Sequence, residues 1–223
     1  MKQIRMSWLV LLAALLVMPA FARGNNETTS VMDGKELRGF TRVVAGYGIA
    51  VDIKQSKTFT VKATGDAEAI ENLDLRVRGE TLRIAYKRGM WGKSVIVSIT
   101  MPALEAVSLS GGSVMTIDFD ATKTRNFKLE LSGGARMEGV FLATGLVADV
   151  SGGSRVSIEG YGNDFIGKLS GGSRFDCQDW AVDKAVMDLS GGAFAVLAVQ
   201  TALTAEVSGG SRVEYRGTPK LIK

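Results

Sequence analysis

The chain has 223 residues, of which 46% are hydrophobic and 22% are charged. This composition is ordinary for a globular protein and excludes wholesale disorder. Histidine is absent and Cys177 is the one cysteine, which excludes Ser-His-Asp and Cys-His nucleophiles, histidine-ligated metal sites, intrachain disulfides and CxxC redox pairs.

The first 22 residues have the organisation of a secretory signal peptide. Lys2 and Arg5 precede an apolar run at 8–18, and Ala20-Phe21-Ala22 supplies a small-x-small pattern, so cleavage is expected after Ala22. A retained membrane anchor is the alternative, but the run is shorter than the roughly 20 residues that a span needs. The sequence therefore predicts an exported protein with no transmembrane span in the mature chain, located in the periplasm, at the outer-membrane surface or outside the cell.

The charge of the mature chain is modest. Removal of the signal peptide takes away two positive charges, so the formal net charge falls from +4 to +2. Nucleic-acid binding therefore receives little support.

Residues 23–38 are polar and predict a flexible lead-in, whereas residues 39–100 carry β-strand signals. Apolar and polar residues alternate at 40–45, 49–53, 59–61, 73–77, 82–86 and 95–99. Residues 78–81 predict a hairpin between the fourth and fifth of these strands, and 66–72 predict one helical turn. We therefore predict an N-terminal β-rich portion over 39–100.

A repeated motif dominates residues 101–223. Ser-Gly-Gly-(Ser/Ala), flanked by alternating apolar residues, occurs six times with spacings of 22, 19, 19, 20 and 18 residues. Its first serines are Ser110, Ser132, Ser151, Ser170, Ser190 and Ser208. A period of two on both sides of Gly-Gly indicates strand, turn and strand, and units this short bury their apolar faces only by stacking. The sequence therefore predicts an all-β protein, a parallel β-helix that is right-handed by the crossover rule, with the N-terminal portion as its cap.

Stacking the six units in register defines three inward columns of apolar residues. The columns are Met115, Met137, Val156, Phe175, Ala195 and Val213; Ile117, Gly139, Ile158, Cys177, Leu197 and Tyr215; and Leu109, Leu131, Val150, Leu169, Leu189 and Val207. Because Cys177 falls in one of them, it is interpreted as a small buried hydrophobe rather than a reactive thiol.

The Ser-Gly-Gly motif has a functional and a structural interpretation. A phosphate-binding loop would need a GxxxxGK[ST] motif and a following helix, and a serine nucleophile would need GxSxG; the repeat has neither. The favoured interpretation is a tight corner, in which Gly-Gly adopts backbone angles closed to other residues and the serine hydroxyls bond to turn amides.

Several segments together resemble a known family. They are Phe40 with Gly48-Ile49-Ala50-Val51-Asp52-Ile53, then Met101-Pro102-Ala103-Leu104, the repeated Leu-Ser-Gly-Gly, and the closing Val213-Glu214-Tyr215-Arg216-Gly217-Thr218-Pro219. Over nearly the whole mature chain the sequence is similar to the GIN domains, a family of unknown function that is common in exported proteins of Bacteroidetes and is described as an auto-transporter adhesin head domain. The resemblance implies a β-helix-like envelope protein and brings no catalytic residues. This chain has Gly-Gly where many relatives have Gly-Ser-Gly.

The residue after each Ser/Ala is predicted to face outward, which places Arg136, Arg155, Arg174 and Arg212 in one column with Val114 and Phe194. Arginines on successive coils, about 5 Å apart, would bind an acidic polysaccharide or a lipid phosphate through forked hydrogen bonds. The alternative is a self-neutralising, solvated face, because neighbouring outward columns are acidic. Those columns contain Glu130, Asp149, Asp188 and Glu206 before the corner and Glu138, Asp176 and Glu214 after it.

A second candidate surface is the loop that contains Trp91 and Lys93. Cations around a loop tryptophan suit sugar stacking or contact with a membrane interface. The alternative is that Trp91 folds back to cover an edge of the core. Trp180 carries the same two interpretations, with the core favoured.

The favoured function is a non-enzymatic, exported cell-envelope protein, an adhesin or glycan-binding module, with acidic polysaccharide or other envelope surface components as partners and no cofactor or metal. A β-helical polysaccharide lyase or hydrolase is an alternative, for which Asp149, Asp176, Asp188 and Arg174 are the plausible set. These carboxylates alternate with Lys168 rather than form a calcium-type oxygen cluster. An envelope-assembly scaffold is the third class, and an exposed terminal coil would allow a homo-oligomer.

Overall fold

Alternating apolar residues form a short strand wherever the sequence predicts one in the first half of the chain. The computed structural model describes residues 29–33, 36–89 and 94–222. Its first elements are β1 (Thr29–Asp33), β2 (Arg42–Ala45), β3 (Ala50–Gln55), β4 (Thr60–Asp66), α1 (Ala67–Asn72), β5 (Leu73–Arg78), β6 (Thr81–Tyr86) and β7 (Val95–Met101). Asp66 caps α1 by accepting hydrogen bonds from the backbone N–H groups of Glu68 and Ala69.

Longer strands follow in the second half, interrupted at each Ser-Gly-Gly. They are β8 (Ala106–Leu109), β9 (Val114–Ala121), β10 (Phe127–Leu131), β11 (Arg136–Val150), β12 (Arg155–Leu169), β13 (Arg174–Leu189), β14 (Phe194–Val207), β15 (Arg212–Arg216) and β16 (Lys220–Ile222). Strands make up 66% of the chain and helix 3%, and they form a solenoid of about six turns. The all-β, parallel β-helix prediction is confirmed.

Parallel pairing holds the coils together. β9, β11, β12, β13, β14 and β15 pair with one another in that order, each parallel to its neighbour. The stack also extends into the first half, since β2 pairs parallel with β8 and β3 pairs parallel with β9. The chain division at residue 100 stays a prediction about domains, but parallel pairing runs across it.

The serine-glycine corners lie one above the next. The backbone N–H of Ser170 donates to Val150 O at 3.0 Å, and Ser190 N–H donates to Leu169 O at 3.0 Å. Glycines also bond between corners, for example Gly172 N–H to Gly152 O at 2.8 Å. These backbone bonds fix each corner to the preceding one and thereby set the register of the strands on both sides.

The prediction that both glycines of each corner need special backbone angles is confirmed only in part. The first glycine has positive φ in all six corners, for example +69° at Gly152, a region that favours glycine. The second has positive φ at Gly112 and Gly134, whereas Gly153 lies outside that region and has open space where a Cβ would stand. The later corners therefore need one glycine rather than two.

The serine hydroxyls do not bond to turn amides as expected. Ser151 Oγ donates to Leu131 O at 3.5 Å and Ser208 Oγ donates to Leu189 O at 3.3 Å, so these hydroxyls contact carbonyl groups of the preceding coil. The second serine of the motif points inward. Ser113, Ser154 and Ser173 are buried, and their Oγ atoms have no hydrogen-bond partner among the described residues.

We expect Ser154→Ala to leave the free energy of unfolding unchanged or to raise it by up to about 1 kcal/mol, because a buried hydroxyl without a partner is removed. Alanine already occupies the equivalent positions Ala135 and Ala193, both buried. Urea denaturation measures the change. The control is Ser154→Val, which adds apolar bulk at a fully buried position and should lose about 1–3 kcal/mol through overpacking. A loss above about 1 kcal/mol in Ser154→Ala would show that the hydroxyl is bonded.

The core is one continuous stack of apolar side chains. The three predicted inward columns are buried through the fifth corner, apart from Gly139, which is half-buried. The last member of each column departs from the prediction. Val207 is 48% exposed, Tyr215 is 42% exposed and Val213 is half-buried, because none of the described residues packs over the last coil.

The two ends of the stack differ. At the N-terminal end antiparallel strands close it: β4 pairs with β7, β5 with β6, and β1 with β4. β1 falls within the predicted lead-in, so residues 29–33 of that segment form a strand, and the flexibility of residues 23–38 stays a prediction. The predicted signal peptide, 1–22, lies outside the described residues. At the C-terminal end β15 and β16 pair only with β14 among the described strands.

Candidate functional site

Three arginines form a vertical row on the outside of the solenoid, which we call the arginine ladder: Arg136, Arg155 and Arg174. Their Cα atoms are register partners across β11, β12 and β13, and all three residues are exposed. Each one is the first residue of its strand after a corner. The next residue points inward, so strand alternation sends the arginine outward. Adjacent rungs are one sheet spacing apart, about 4.8 Å.

The column continues at both ends of the ladder with other residues. Val114 precedes Arg136, and Phe194 and then Arg212 follow Arg174 in register. The guanidinium carbon of Arg174 lies 4.6 Å from the centre of the Phe194 ring, a cation–π contact that orients the Arg174 side chain. Arg212 is therefore in the predicted column, but the coil of Phe194 separates it from the ladder.

Few of the described acidic side chains form ion pairs with the ladder arginines, although the neighbouring columns are acidic. Arg212 forms an ion pair with Glu214, at 2.6 Å between Nη2 and Oε1. Arg136 and Arg155, in contrast, have no ion pair to any described residue, although Glu138 lies two positions along β11. Unpaired cations one sheet spacing apart repel each other by less than about 1 kcal/mol per pair in water, and an anion bound between them would remove that repulsion.

The acidic column before the corner is in register as predicted. Glu130, Asp149, Lys168, Asp188 and Glu206 follow one another in it. Lys168 thus separates the two aspartates that the lyase hypothesis requires, and Asp176 lies on the other side of the corner. In the part of the chain that the structure describes, no group of three or more His, Cys, Asp or Glu residues is arranged to hold a metal ion.

Trp91 and Lys93 lie outside the described residues. The segment that contains them connects β6 to β7, and β7 belongs to the face of the ladder. Ile96 of β7 is the register partner of Ala50, which pairs with Val114. Before this segment, Lys87 Nζ donates to Glu71 O at 3.0 Å and Arg88 pairs with Glu68 at 3.6 Å, so both cations contact α1 or its edge.

Trp180 belongs to the core, so the interpretation of Trp180 as a residue that stacks on a ligand is wrong. Its side chain is fully buried, its Nε1–H donates to Phe141 O at 3.1 Å, and it packs edge-on against Phe165 with ring centroids 5.7 Å apart. A glycine makes room for the ring, because a Cβ at Gly162 would lie 2.7 Å from it.

Cys177 is also buried, as predicted. Desolvation by burial raises the pKa of its thiol far above the ordinary range. The thiol is therefore protonated at neutral pH and behaves as a small apolar side chain.

A cleft that the sequence analysis missed lies near the N-terminal end of the stack, with a volume of about 360 Å³. Arg42, Ala106 and Lys128 are register partners across it, so the small Ala106 lies between two cations. Arg42 pairs with Glu105 at 3.7 Å. Neighbouring large and small outward residues in one column were the sequence signal for this depression.

The profile of a family described as "Putative auto-transporter adhesin, head GIN domain" matches residues 39–219. No curated protein matches the chain. No helix among the described residues is both long enough and apolar enough to cross a membrane.

Solved structures share the fold at low sequence identity. A crystal structure described as a putative adhesin from Bacteroides fragilis is 17% identical in sequence, with a TM-score of 0.78. The match covers 88% of this chain and 92% of the Bacteroides fragilis chain. A putative adhesin from Parabacteroides distasonis is 18% identical with a TM-score of 0.69, at 87% and 91% coverage. A structure from the same species described as a putative lipid binding protein is 13% identical with a TM-score of 0.60, at 88% and 93% coverage.

Proposed function

The chain belongs to the GIN domain family, whose description reads "Putative auto-transporter adhesin, head GIN domain", and we propose that it is a non-enzymatic adhesive module that binds acidic polysaccharide through the arginine ladder. The observation that carries the proposal is the stacking of Arg136, Arg155 and Arg174 on successive coils, with two of them unpaired among the described residues. The predicted signal peptide supports a location in the periplasm, at the outer-membrane surface or outside the cell.

The chemistry of the ladder suits a regularly charged chain. A guanidinium group presents a planar fork that matches a carboxylate, sulfate or phosphate with two hydrogen bonds. One such exposed pair is weak, contributing about 0.2–1 kcal/mol. Three pairs on a rigid support act together, because the first contact raises the effective concentration of the next anion at the next rung. The ordering cost is small, since backbone hydrogen bonds already fix the spacing of the rungs.

Two alternative classes of function remain distinguishable by experiment. The lyase hypothesis lacks support from the geometry, since Lys168 separates Asp149 from Asp188 in the same column. A lipid phosphate offers the same anionic chemistry as an acidic glycan. We favour the glycan because the ladder is a straight row of three cations, which matches a linear polymer better than a single headgroup.

Replacing all three ladder arginines with alanine should weaken binding to an acidic polysaccharide about 10- to 100-fold, because three charge-assisted contacts are lost. The measurement is binding of the purified mature chain, from residue 23, to an array of acidic and neutral glycans. The matched control is Arg83→Ala, which removes an exposed arginine from another strand, β6. Arginine-to-lysine replacement at the three positions keeps the charge but loses the forks, and should give an intermediate affinity.

The salt dependence of binding and a comparison with anionic vesicles separate the proposal from its alternatives. Binding should weaken between about 50 and 200 mM salt, because the contacts are exposed to solvent. Equal binding by the triple alanine variant would contradict the proposal, as would preference for anionic vesicles over acidic glycans. Loss of glycan mass without stable binding would favour the lyase.

A further inference from the structure

The last coil of the solenoid leaves an open sheet edge, formed by β15 and β16, which we call the C-terminal edge. Both strands pair with β14 on one side and with none of the described strands on the other. Arg212 N–H donates to Ala193 O at 2.9 Å, toward β14. Because successive residues of a strand direct their N–H and C=O groups to opposite sides, those of Val213 and Tyr215 face the open side.

Apolar core residues are exposed at this edge. Tyr215 is 42% exposed and Leu221 is 57% exposed, whereas their register partners one coil earlier, Leu197 and Leu203, are 0% and 4% exposed. Val207, which continues the Leu189 column, is 48% exposed. The C-terminal edge therefore combines unpaired backbone groups with the uncovered end of the hydrophobic core, and such an edge tends to pair with another strand.

The opposite end shows how this fold closes a stack. There, antiparallel strands add to the parallel coils, as β4 does on β7 and β5 does on β6. A second copy of the chain related by a two-fold axis would bring the same kind of strand to the C-terminal edge, because an axis beside the edge strand and perpendicular to it places the copy antiparallel.

The charges of β15 complement themselves in such a pair. Arg212, Glu214 and Arg216 alternate with the inward residues Val213 and Tyr215. An axis at Val213 places Arg212 opposite Glu214 of the second copy, and an axis at Tyr215 places Glu214 opposite Arg216 of the second copy. An axis at Glu214 would place like charges opposite each other and is disfavoured.

We propose that the protein forms a two-fold dimer in which β15 of two copies pair antiparallel at their C-terminal edges. The dimer would cover Tyr215, Leu221 and Val207 and would satisfy the open backbone groups of β15. It goes beyond the proposed binding function, since the arginine ladder lies on the side of the solenoid and stays accessible.

The test is the mass of the full mature chain in solution, by sedimentation and light scattering at concentrations up to about 100 µM. We expect twice the monomer mass for the unaltered chain and the monomer mass for Tyr215→Lys, which puts a charge at the edge. Tyr161→Lys is the matched control, because Tyr161 is 53% exposed on the side of the stack; it should remain dimeric. An unaltered chain that is monomeric throughout, or a dimeric Tyr215→Lys variant, overturns the proposal.

Exchanging the charges of β15 side chains gives a second test that does not depend on Tyr215. Glu214→Arg should weaken dimerisation about tenfold. Adding Arg212→Glu restores it if the axis lies at Val213, and adding Arg216→Glu restores it if the axis lies at Tyr215. An unaffected Glu214→Arg dimer, or restoration by neither second change, contradicts paired β15 strands. Glycan binding by monomeric Tyr215→Lys separates a failure of the dimer from a failure of the ladder.

Discussion

Trp180→Ala is expected to lower the free energy of unfolding by about 3–5 kcal/mol, because it empties the largest fully buried side-chain site among the described residues. The indole packs against Phe165 and Phe175, with ring centroids 5.7 and 6.4 Å away. Backbone hydrogen bonds between neighbouring coils oppose their collapse into the vacated space, so the cavity should persist. Urea denaturation followed by far-ultraviolet circular dichroism measures the loss without relying on tryptophan fluorescence.

Trp180→Phe is the control that separates packing from hydrogen bonding. It retains an aromatic ring but removes the donor to Phe141 O, which leaves that carbonyl without this partner and should cost about 1–3 kcal/mol. A loss below about 1.5 kcal/mol in Trp180→Ala would mean that the coils collapse onto the site, or that the side chain is not buried.

Gly139→Ala is expected to destabilise the fold by about 2–5 kcal/mol. Gly139 lies inside β11 with φ of +133°, a conformation that L side chains rarely adopt, and an added Cβ would overlap the carbonyl oxygen of Ile117. That carbonyl belongs to the neighbouring strand β9, so relief would require the two coils to separate at their backbone.

The control is Gly153→Ala, which replaces the second glycine of a corner. Its φ lies outside the positive region and no atom lies within 4 Å of the added Cβ, so stability should change by less than about 0.5 kcal/mol or rise slightly. Thermal and urea unfolding of both variants test the pair. Equal losses at the two positions would contradict the distinction between them.

The repeat made the fold predictable because it specifies register directly. Each Ser-Gly-Gly fixes one corner, and alternation then assigns residues such as Cys177 and Arg155 to the inside or the outside. The unequal spacings between corners leave the strands beside each corner in register. The three additional residues between the first two corners lie around 122–126, where β9 has ended and β10 has not begun. The later differences coincide with register shifts between Val156 and Gly160, between Cys177 and Ala181, and between Val182 and Lys184.

Features that depend on a neighbour's position were not predictable. Whether Ser151 Oγ contacts an amide or a carbonyl depends on the exact height of the preceding coil. The exposure of Tyr215 depends on what lies beyond the last coil, which a pattern shared by all six units does not encode. Likewise, the column of Arg136, Arg155 and Arg174 followed from register, but its shortage of ion pairs and the contact of Arg174 with Phe194 required side-chain positions.

Residues 151–169 are bounded on both sides by corners of the same kind and pair with like strands above and below. A tandem copy of this 19-residue segment would therefore fit between its neighbours as one additional coil. It would lengthen the solenoid by about 4.8 Å and add one outward guanidinium group. Neither terminus of the stack would have to change. Gene-level duplication would thus lengthen the solenoid and its row of outward arginines while the corners and the parallel pairing keep the same pattern.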